Sequence, residues 1–284
     1  MIEDSAKNLV ELKQEFRRIY SGSSHIQEIV PLTESTYFPI RQDELESLHL
    51  FAAKNPIYYN SYEQKINEIE CMVYEGDINK YWLNSIGHGS SYQPFSPTWI
   101  LSAYLMTSIA KELDCKQVLD IGSGDGRIAY CAKILGLESH AIEIDDMLVD
   151  LQKSICEMTN TDFNPICADA VKFEYNSLNL QKPAFFIGGL AQMGGDVLAT
   201  SIISNLNSEL RQKTCMVFAG SHSEKYSFKD TSDAGWGKLI ADNKLRIIKS
   251  VLLPTVWSFD QTLDTSYIFT AVSYTHLRAH ETLR

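Results

Sequence analysis

The chain has 284 residues, with 25 Lys and Arg against 36 Asp and Glu, a net charge of −11. Hydrophobic residues make up 44% and charged residues 21%, which excludes a disordered chain and permits a sizeable core. The acidic balance argues against clamping a nucleic-acid backbone, which needs clustered Lys and Arg, and leaves lysine-rich protein partners open. No apolar run approaches the roughly 18 residues of a membrane helix. The acidic start Met1-Ile-Glu-Asp-Ser does not suit a signal peptide, so a cytoplasmic protein is expected. Cysteines stand at 71, 115, 131, 156, 167 and 215, with no C-x-x-C pair and no zinc spacing. They read as reduced, mostly buried thiols, and no metal is expected.

In chain order, residues 5–21 predict a helix, with Leu9, Leu12, Phe16 and Ile19 on one stripe and Gly22 as its stop. Residues 42–54 and 61–85 also read as helical, the second through Ile66, Ile69, Met72, Val73 and Trp82. Residues 1–90 therefore form a helical N-terminal region in this reading, with no strand–helix alternation. Gly87-His-Gly-Ser-Ser91 reads as a linker or hinge. Ser96-Pro97 suggests a cap and first helical position for a helix reaching about 113.

From 117 the pattern changes. Short apolar runs at 117–121, 139–144, 164–167, 184–187 and 215–219 alternate with helical stretches at 126–136, 146–158 and 196–211. That alternation predicts an α/β domain over 91–272, a doubly wound parallel sheet covered by helices. Runs at 245–253 and 266–272 are spaced as a closing hairpin. Residues 273–284 show no apolar period and resemble a recurrent non-natural tail, so they are expected to lie outside the fold.

The strongest chemical signal is Val118-Leu-Asp-Ile-Gly-Ser-Gly-Asp-Gly-Arg127. A strand ends in Asp120, Gly122, Gly124 and Gly126 recur at every second position, and a helix begins. Glycine lets the backbone turn sharply and come close to a ligand, and the helix start offers free N–H groups. The dinucleotide fingerprint G-x-G-x-x-G is not met, because the third glycine counted from Gly122 would fall on Arg127. No Gly-Lys-Ser/Thr follows, which excludes a P-loop. An acid directly before the glycines suits a cationic ligand better than a pyrophosphate.

Two further acids end the next two strands. His140-Ala-Ile-Glu-Ile-Asp145 places Glu143 at the second tip, where a carboxylate can accept two ribose hydroxyls. Ile166-Cys-Ala-Asp169-Ala170 places Asp169 at the third, where it can accept from an adenine amine. The plain alternatives are a tight turn at Gly124, a solvated strand end at Glu143 and a turn cap at Asp169. Asp145 and Asp146 read as caps of the following helix.

D-x-G-x-G-x-G, then Glu143, then Ala168-Asp169, resembles the class I S-adenosylmethionine-dependent methyltransferases over residues 117–272. The resemblance implies a seven-strand sheet whose last strand, at 266–272, is antiparallel. It implies S-adenosyl-L-methionine as cofactor, with Asp120, Gly122, Ser123, Gly124 and Gly126 at its methionine end. Glu143 and Ile144 would hold the ribose side, and Asp169 and Ala170 the adenine. Transfer of a methyl from a sulfonium needs alignment and exclusion of water more than a dedicated base, so no catalytic residue is singled out.

The acceptor end is less marked. Where relatives that methylate planar amide or base nitrogens carry Asn/Asp-Pro-Pro-Tyr/Phe, this chain has Phe186-Ile-Gly-Gly-Leu-Ala-Gln-Met193. Gly188 and Gly189 are candidates for backbone approach to the acceptor, a turn being the alternative. Tyr92-Gln-Pro-Phe-Ser-Pro97 before the first strand also resembles the seven-strand protein-lysine methyltransferases, which implies that Tyr92 and Ser96 lie over the cofactor. His222 is a candidate substrate contact, and Trp236 and the tyrosines of 57–62 are read as packing or as acceptor walls. The expected activity is N-methylation of a protein lysine or a small metabolite. The alternatives are a non-catalytic S-adenosylmethionine-binding module or partner subunit, and use of an altered sulfonium nucleoside.

Overall fold

The computed structural model describes residues 2–85, 94–220, 227–254 and 264–272. The first predicted stripe forms α1 (Ile2–Ile19), which buries Leu9, Leu12 and Phe16. Glu3 and Asp4 in its first turn and Arg17 and Arg18 in its last complement the helix dipole. There follow β1 (Ile26–Pro31), α2 (Gln42–Lys54), β2 (Tyr58–Ile66), β3 (Ile69–Gly76) and α3 (Asn79–Ser85). The three strands form one antiparallel sheet in the order β1-β3-β2.

This corrects the helix expected over 61–85 and makes the N-terminal region mixed rather than helical. Ile66 and Ile69 pair across a two-residue turn in which Asn67 and Glu68 have φ of 46° and 65°. Such a turn matches the right-handed twist of a hairpin. The apolar residues that imitate a helical stripe straddle it. β1 escapes the hydrophobic pattern because Gln27 and Glu28 are buried within a strand that is covered along its whole length.

The second half follows the predicted alternation: α4 (Ile100–Glu112), β4 (Gln117–Ile121), α5 (Arg127–Ile134), β5 (Glu138–Glu143), α6 (Asp146–Thr159), β6 (Pro165–Cys167) and β7 (Pro183–Ile187). Then come α7 (Gly195–Asn205), α8 (Ser208–Lys213), β8 (Cys215–Ala219), α9 (Gly235–Asp242), β9 (Leu245–Pro254) and β10 (Asp264–Val272). The sheet order is β6-β5-β4-β7-β8-β10-β9. β10 runs antiparallel to both β8 and β9, so the seven-strand sheet with an antiparallel last strand is as the resemblance implies.

Alternation along each strand divides the core. Val118, Phe186 and Val217 face the side covered by α1, α4, α5 and α6, while Leu119, Phe185 and Phe218 face α7 and α9. Each buried side chain of this kind contributes about 1.5–3 kcal/mol. Helices thus cover both faces, and β4 and β7 meet where the chain order reverses. Ligands of open α/β sheets bind at the carboxyl ends of the strands beside such a reversal.

No helix among the described residues is long and apolar enough to cross a membrane. All six cysteines are free, and Cys71, Cys115, Cys131 and Cys215 are buried. Among the described residues no group of three His, Cys, Asp or Glu could hold a metal ion.

Candidate functional site

A cavity of about 300 Å³ opens at that reversal. Asp120, Gly122, Ser123, Gly124, Glu143, Ile144, Asp169, Ala170, Gly188 and Gly189 all line it. The structure therefore brings together most of the residues singled out in the sequence. Gly126 lies just below, in the same loop. Tyr92 and His222 fall outside the described residues.

Backbone geometry explains the glycines. Gly122, Gly124 and Gly126 have φ of 67°, 57° and 80°, the left-handed region. A Cβ on Gly122 would meet nothing within 4 Å and would enter the cavity. On Gly124 it would lie 2.6 Å from the Phe95 ring, and on Gly126 2.4 Å from the Phe163 ring. Gly122 keeps space for a ligand, Gly124 admits the close approach of Phe95 in the cavity wall, and Gly126 admits that of Phe163. The loop hangs from β5 by hydrogen bonds from the Gly122 and Ser123 N–H groups to the Ile142 carbonyl, at 2.9 and 3.2 Å. Gln152 of α6 donates to Ser123 Oγ at 2.9 Å and to the Gly124 carbonyl at 2.7 Å.

Asp120 is the penultimate residue of β4 and is 3% exposed. Its Oδ2 has no hydrogen-bond partner. Burial pushes its pKa well above the usual carboxylate range. The Ala129 N–H opposes that shift, and the charges of Asp125 and Glu143 add to it. Glu143 Oε2 accepts from the Gly124 N–H at 2.9 Å, and Oε1 from Ile144 and Asp145 at 2.8 and 3.1 Å. Burial raises its pKa while those N–H groups lower it. Oε1 is saturated by its two donors, but Oε2 has a second lone pair, so Glu143 keeps acceptor capacity there.

Asp169 is more open. Lys172 Nζ lies 2.9 Å from Oδ2 and holds the carboxyl below its ordinary range. Its Oδ1 accepts from the Val171 N–H at 2.9 Å, so it caps a turn as well as lining the cavity. Asp145 caps α6 by accepting from Met147 and Leu148. Trp236 is fully buried, stacked on Phe218 at 4.5 Å, and donates to the Ala219 carbonyl; it is packing, not a cavity rim.

Ser96 lines the cavity but does not cap α4. The helix begins at Ile100, and the Ile100 N–H is taken by Glu28 Oε2 at 2.9 Å. A carboxylate brought from β1 thus does the work expected of a local serine. Glu28 belongs to a buried cluster with Asp125, Arg127, Tyr58 and Asn55 that sequence reasoning missed. Asp125 and Arg127 stand in the glycine motif itself. A charged pair directly after a buried strand was the available signal; partners that are distant in sequence leave none.

The described charged residues lining the cavity are Asp120, Asp125, Glu143 and Asp169 against Arg127. Arg127 spends its guanidinium on Asp125 and Glu28, so the cavity presents an excess of carboxylate. Such a surface disfavours phosphate and favours a cation.

No protein-family model matches the sequence, and none of the curated proteins matches it. Solved structures do. The tRNA (uracil-54, C5)-methyltransferase of Pyrococcus abyssi, in complex with S-adenosyl-L-homocysteine, is 15% identical with a TM-score of 0.45 over 75% of this chain. The chain spans only 44% of the length of that enzyme. The ribosomal protein L11 methylase of Lactobacillus delbrueckii subsp. bulgaricus is 16% identical, TM-score 0.40, over 61% of this chain and 80% of its own. The magnesium protoporphyrin IX methyltransferase of Synechocystis, with bound S-adenosylmethionine, is 12% identical, TM-score 0.42, over 61% and 78%. Each is a likeness of fold at low identity.

Proposed function

We propose that the chain binds S-adenosylmethionine and transfers its methyl group to an acceptor. One observation carries this reading: Asp120, Glu143 and Asp169 line one cavity with the open glycine loop, and Asp120 keeps a buried oxygen without a partner. A buried acceptor without a partner costs about 1–3 kcal/mol, which a donor or cation on the ligand would offset. The empty space over Gly122 is where a Cβ would stand and where a ligand can.

In this reading Asp120 faces the α-ammonium and sulfonium end of the nucleoside. Ser123, Gly122 and Gly124 line the same end. Glu143, oriented by three backbone N–H groups, accepts from the ribose hydroxyls, and Asp169 and Ala170 flank the adenine. Bound there, the sulfonium supplies an activated methyl group. The chain's own contribution is alignment and exclusion of water, with residues 94–98 lying over the site. Gly188 and Gly189 bring backbone to the acceptor side. The acceptor is read as a nitrogen, on a protein lysine first and a small metabolite next; the net charge of −11 suits steering of a lysine-rich target.

A second reading, a binding module or partner subunit without turnover, is favoured by the same glycine pair. It offers an acceptor backbone and no titratable side chain. Calorimetric titration of the purified protein with S-adenosylmethionine and NADH in parallel tests the pocket. Labelled-methyl transfer onto lysine-rich proteins and metabolite pools then separates the two readings. Failure to bind S-adenosylmethionine sinks both, and binding without transfer to any acceptor leaves the module.

A further inference from the structure

Arg127 is 2% exposed and uses all of its donors. Nε donates to Asp125 Oδ1 at 2.9 Å, and Nη2 to Asp125 Oδ2 at 2.6 Å and to the Tyr58 hydroxyl at 3.1 Å. Nη1 donates to Glu28 Oε1 and to the Thr98 carbonyl. The other members are satisfied too. Tyr58 donates to Glu28 Oε1 at 3.0 Å, and Asn55 Nδ2 donates to Asp125 Oδ2 at 2.9 Å.

The placement of these groups is what matters. Asp125 and Arg127 belong to the glycine loop and the start of α5. Thr98 belongs to the segment that lines the cavity ahead of α4, and Ile100 opens α4. Glu28 sits on β1 and Tyr58 on β2, in the separate N-terminal sheet. Arg127, Asp125 and Thr98 line the cavity; Glu28 and Tyr58 do not. Two walls of the site are therefore held to each other through a carboxylate that reaches neither ligand nor cavity. A fully satisfied buried ion network has one low-energy arrangement, and removing one partner leaves a buried charge under-compensated.

We propose that Glu28 is a positioning residue for the nucleoside site: acting through Arg127 and the Ile100 N–H, it holds the glycine loop and the covering segment in the binding geometry. This rests on the nucleoside reading above. It makes ligand affinity a property shared between the sheet domain and the N-terminal sheet. Coupling of this kind is reciprocal, so ligand binding must in turn stabilise β1 and β2.

The probe is S-adenosylhomocysteine on the full chain. Glu28→Gln keeps the shape and an acceptor for the Ile100 N–H but removes the charge. In protein shown to be folded by circular dichroism, its affinity is expected to fall by about tenfold or more. Tyr58→Phe deletes only the hydroxyl between Arg127 and Glu28 and is expected to weaken binding by about threefold or more. Should Glu28→Gln not fold, Tyr58→Phe and the native protein decide. In the native protein, hydrogen exchange on adding the ligand is expected to slow in residues 26–31 and 58–66 as well as in 120–127.

A merely structural Glu28 lowers the melting temperature and leaves the affinity of the folded protein unchanged. That result, or protection confined to the glycine loop, overturns the proposal while the nucleoside reading stands. A native protein that binds no S-adenosylhomocysteine overturns both.

Discussion

Replacing Asp120 by Asn should move stability and affinity in opposite directions. Asp120 is 3% exposed, its Oδ2 is unpartnered, and its pKa is raised chiefly by burial. An acid whose folded pKa lies above its unfolded value of about 3.9 stabilises the fold at low pH, and that contribution is lost as pH rises toward the folded value. At neutral pH the ligand-free protein therefore carries the cost of an uncompensated buried group. Asn is isosteric and neutral and keeps an acceptor for the Ala129 N–H. Relief of about 1–3 kcal/mol is expected, and at about 2–4 °C per kcal/mol for a chain approaching this size the ligand-free melting temperature rises by about 2–12 °C.

Binding responds the other way, because the α-ammonium of the ligand favours the ionised carboxylate. Loss of a charged hydrogen bond of about 1.5–3 kcal/mol weakens S-adenosylhomocysteine by about 10- to 150-fold. Native affinity should also rise with pH and level off above the titration of Asp120, with proton release on binding, whereas Asp120→Asn loses that slope. Thermal melts of the free protein, and calorimetry in buffers of different ionisation enthalpy, measure both. A variant that melts lower and binds as tightly as the native protein would show that Asp120 is structural.

Three further outcomes are expected. Gly122→Ala adds a Cβ in open space at φ 67°, so the fold loses only about 1–2 kcal/mol for the left-handed backbone. Binding of S-adenosylhomocysteine should fall further than that, and unchanged affinity by calorimetry would remove the ligand from this position. Gly126→Ala drives a Cβ to 2.4 Å from Phe163, and strain plus overpacking should cost about 2–5 kcal/mol in urea unfolding; a loss of only a few tenths refutes the packing role. Gly188→Val places its side chain where a Cβ meets nothing within 4 Å. It should keep stability within about 0.5 kcal/mol and bind S-adenosylhomocysteine, yet block methyl transfer, and full transfer would place the acceptor elsewhere.

Much of the sheet domain was legible in the residue order. Alternating apolar runs announce a parallel sheet because each strand is buried on both faces, and glycines beside Asp120 announce a loop that must approach something. The N-terminal region was harder. Ile66, Ile69, Met72 and Val73 fit a helical stripe as well as a hairpin, and the positive φ of Asn67 and Glu68 decides between them. β1 hides because Gln27 and Glu28 interrupt its apolar run.

By itself the sequence determined the strand-ending acids Asp120, Glu143 and Asp169 and the glycine spacing between them. These are local matters of alternation and backbone freedom, and they place three carboxylates along one sheet edge before any contact is known. Only the tertiary structure decided which charges compensate one another. Glu28 lies 99 residues from Arg127, and Tyr58 69, yet both meet its guanidinium in the dry interior. Burial is a property of the assembled layers, not of the chain. It is burial that turns an ordinary Arg–Asp–Glu set into a fully paired network beside the loop, and leaves Asp120 Oδ2 without a partner among the described residues.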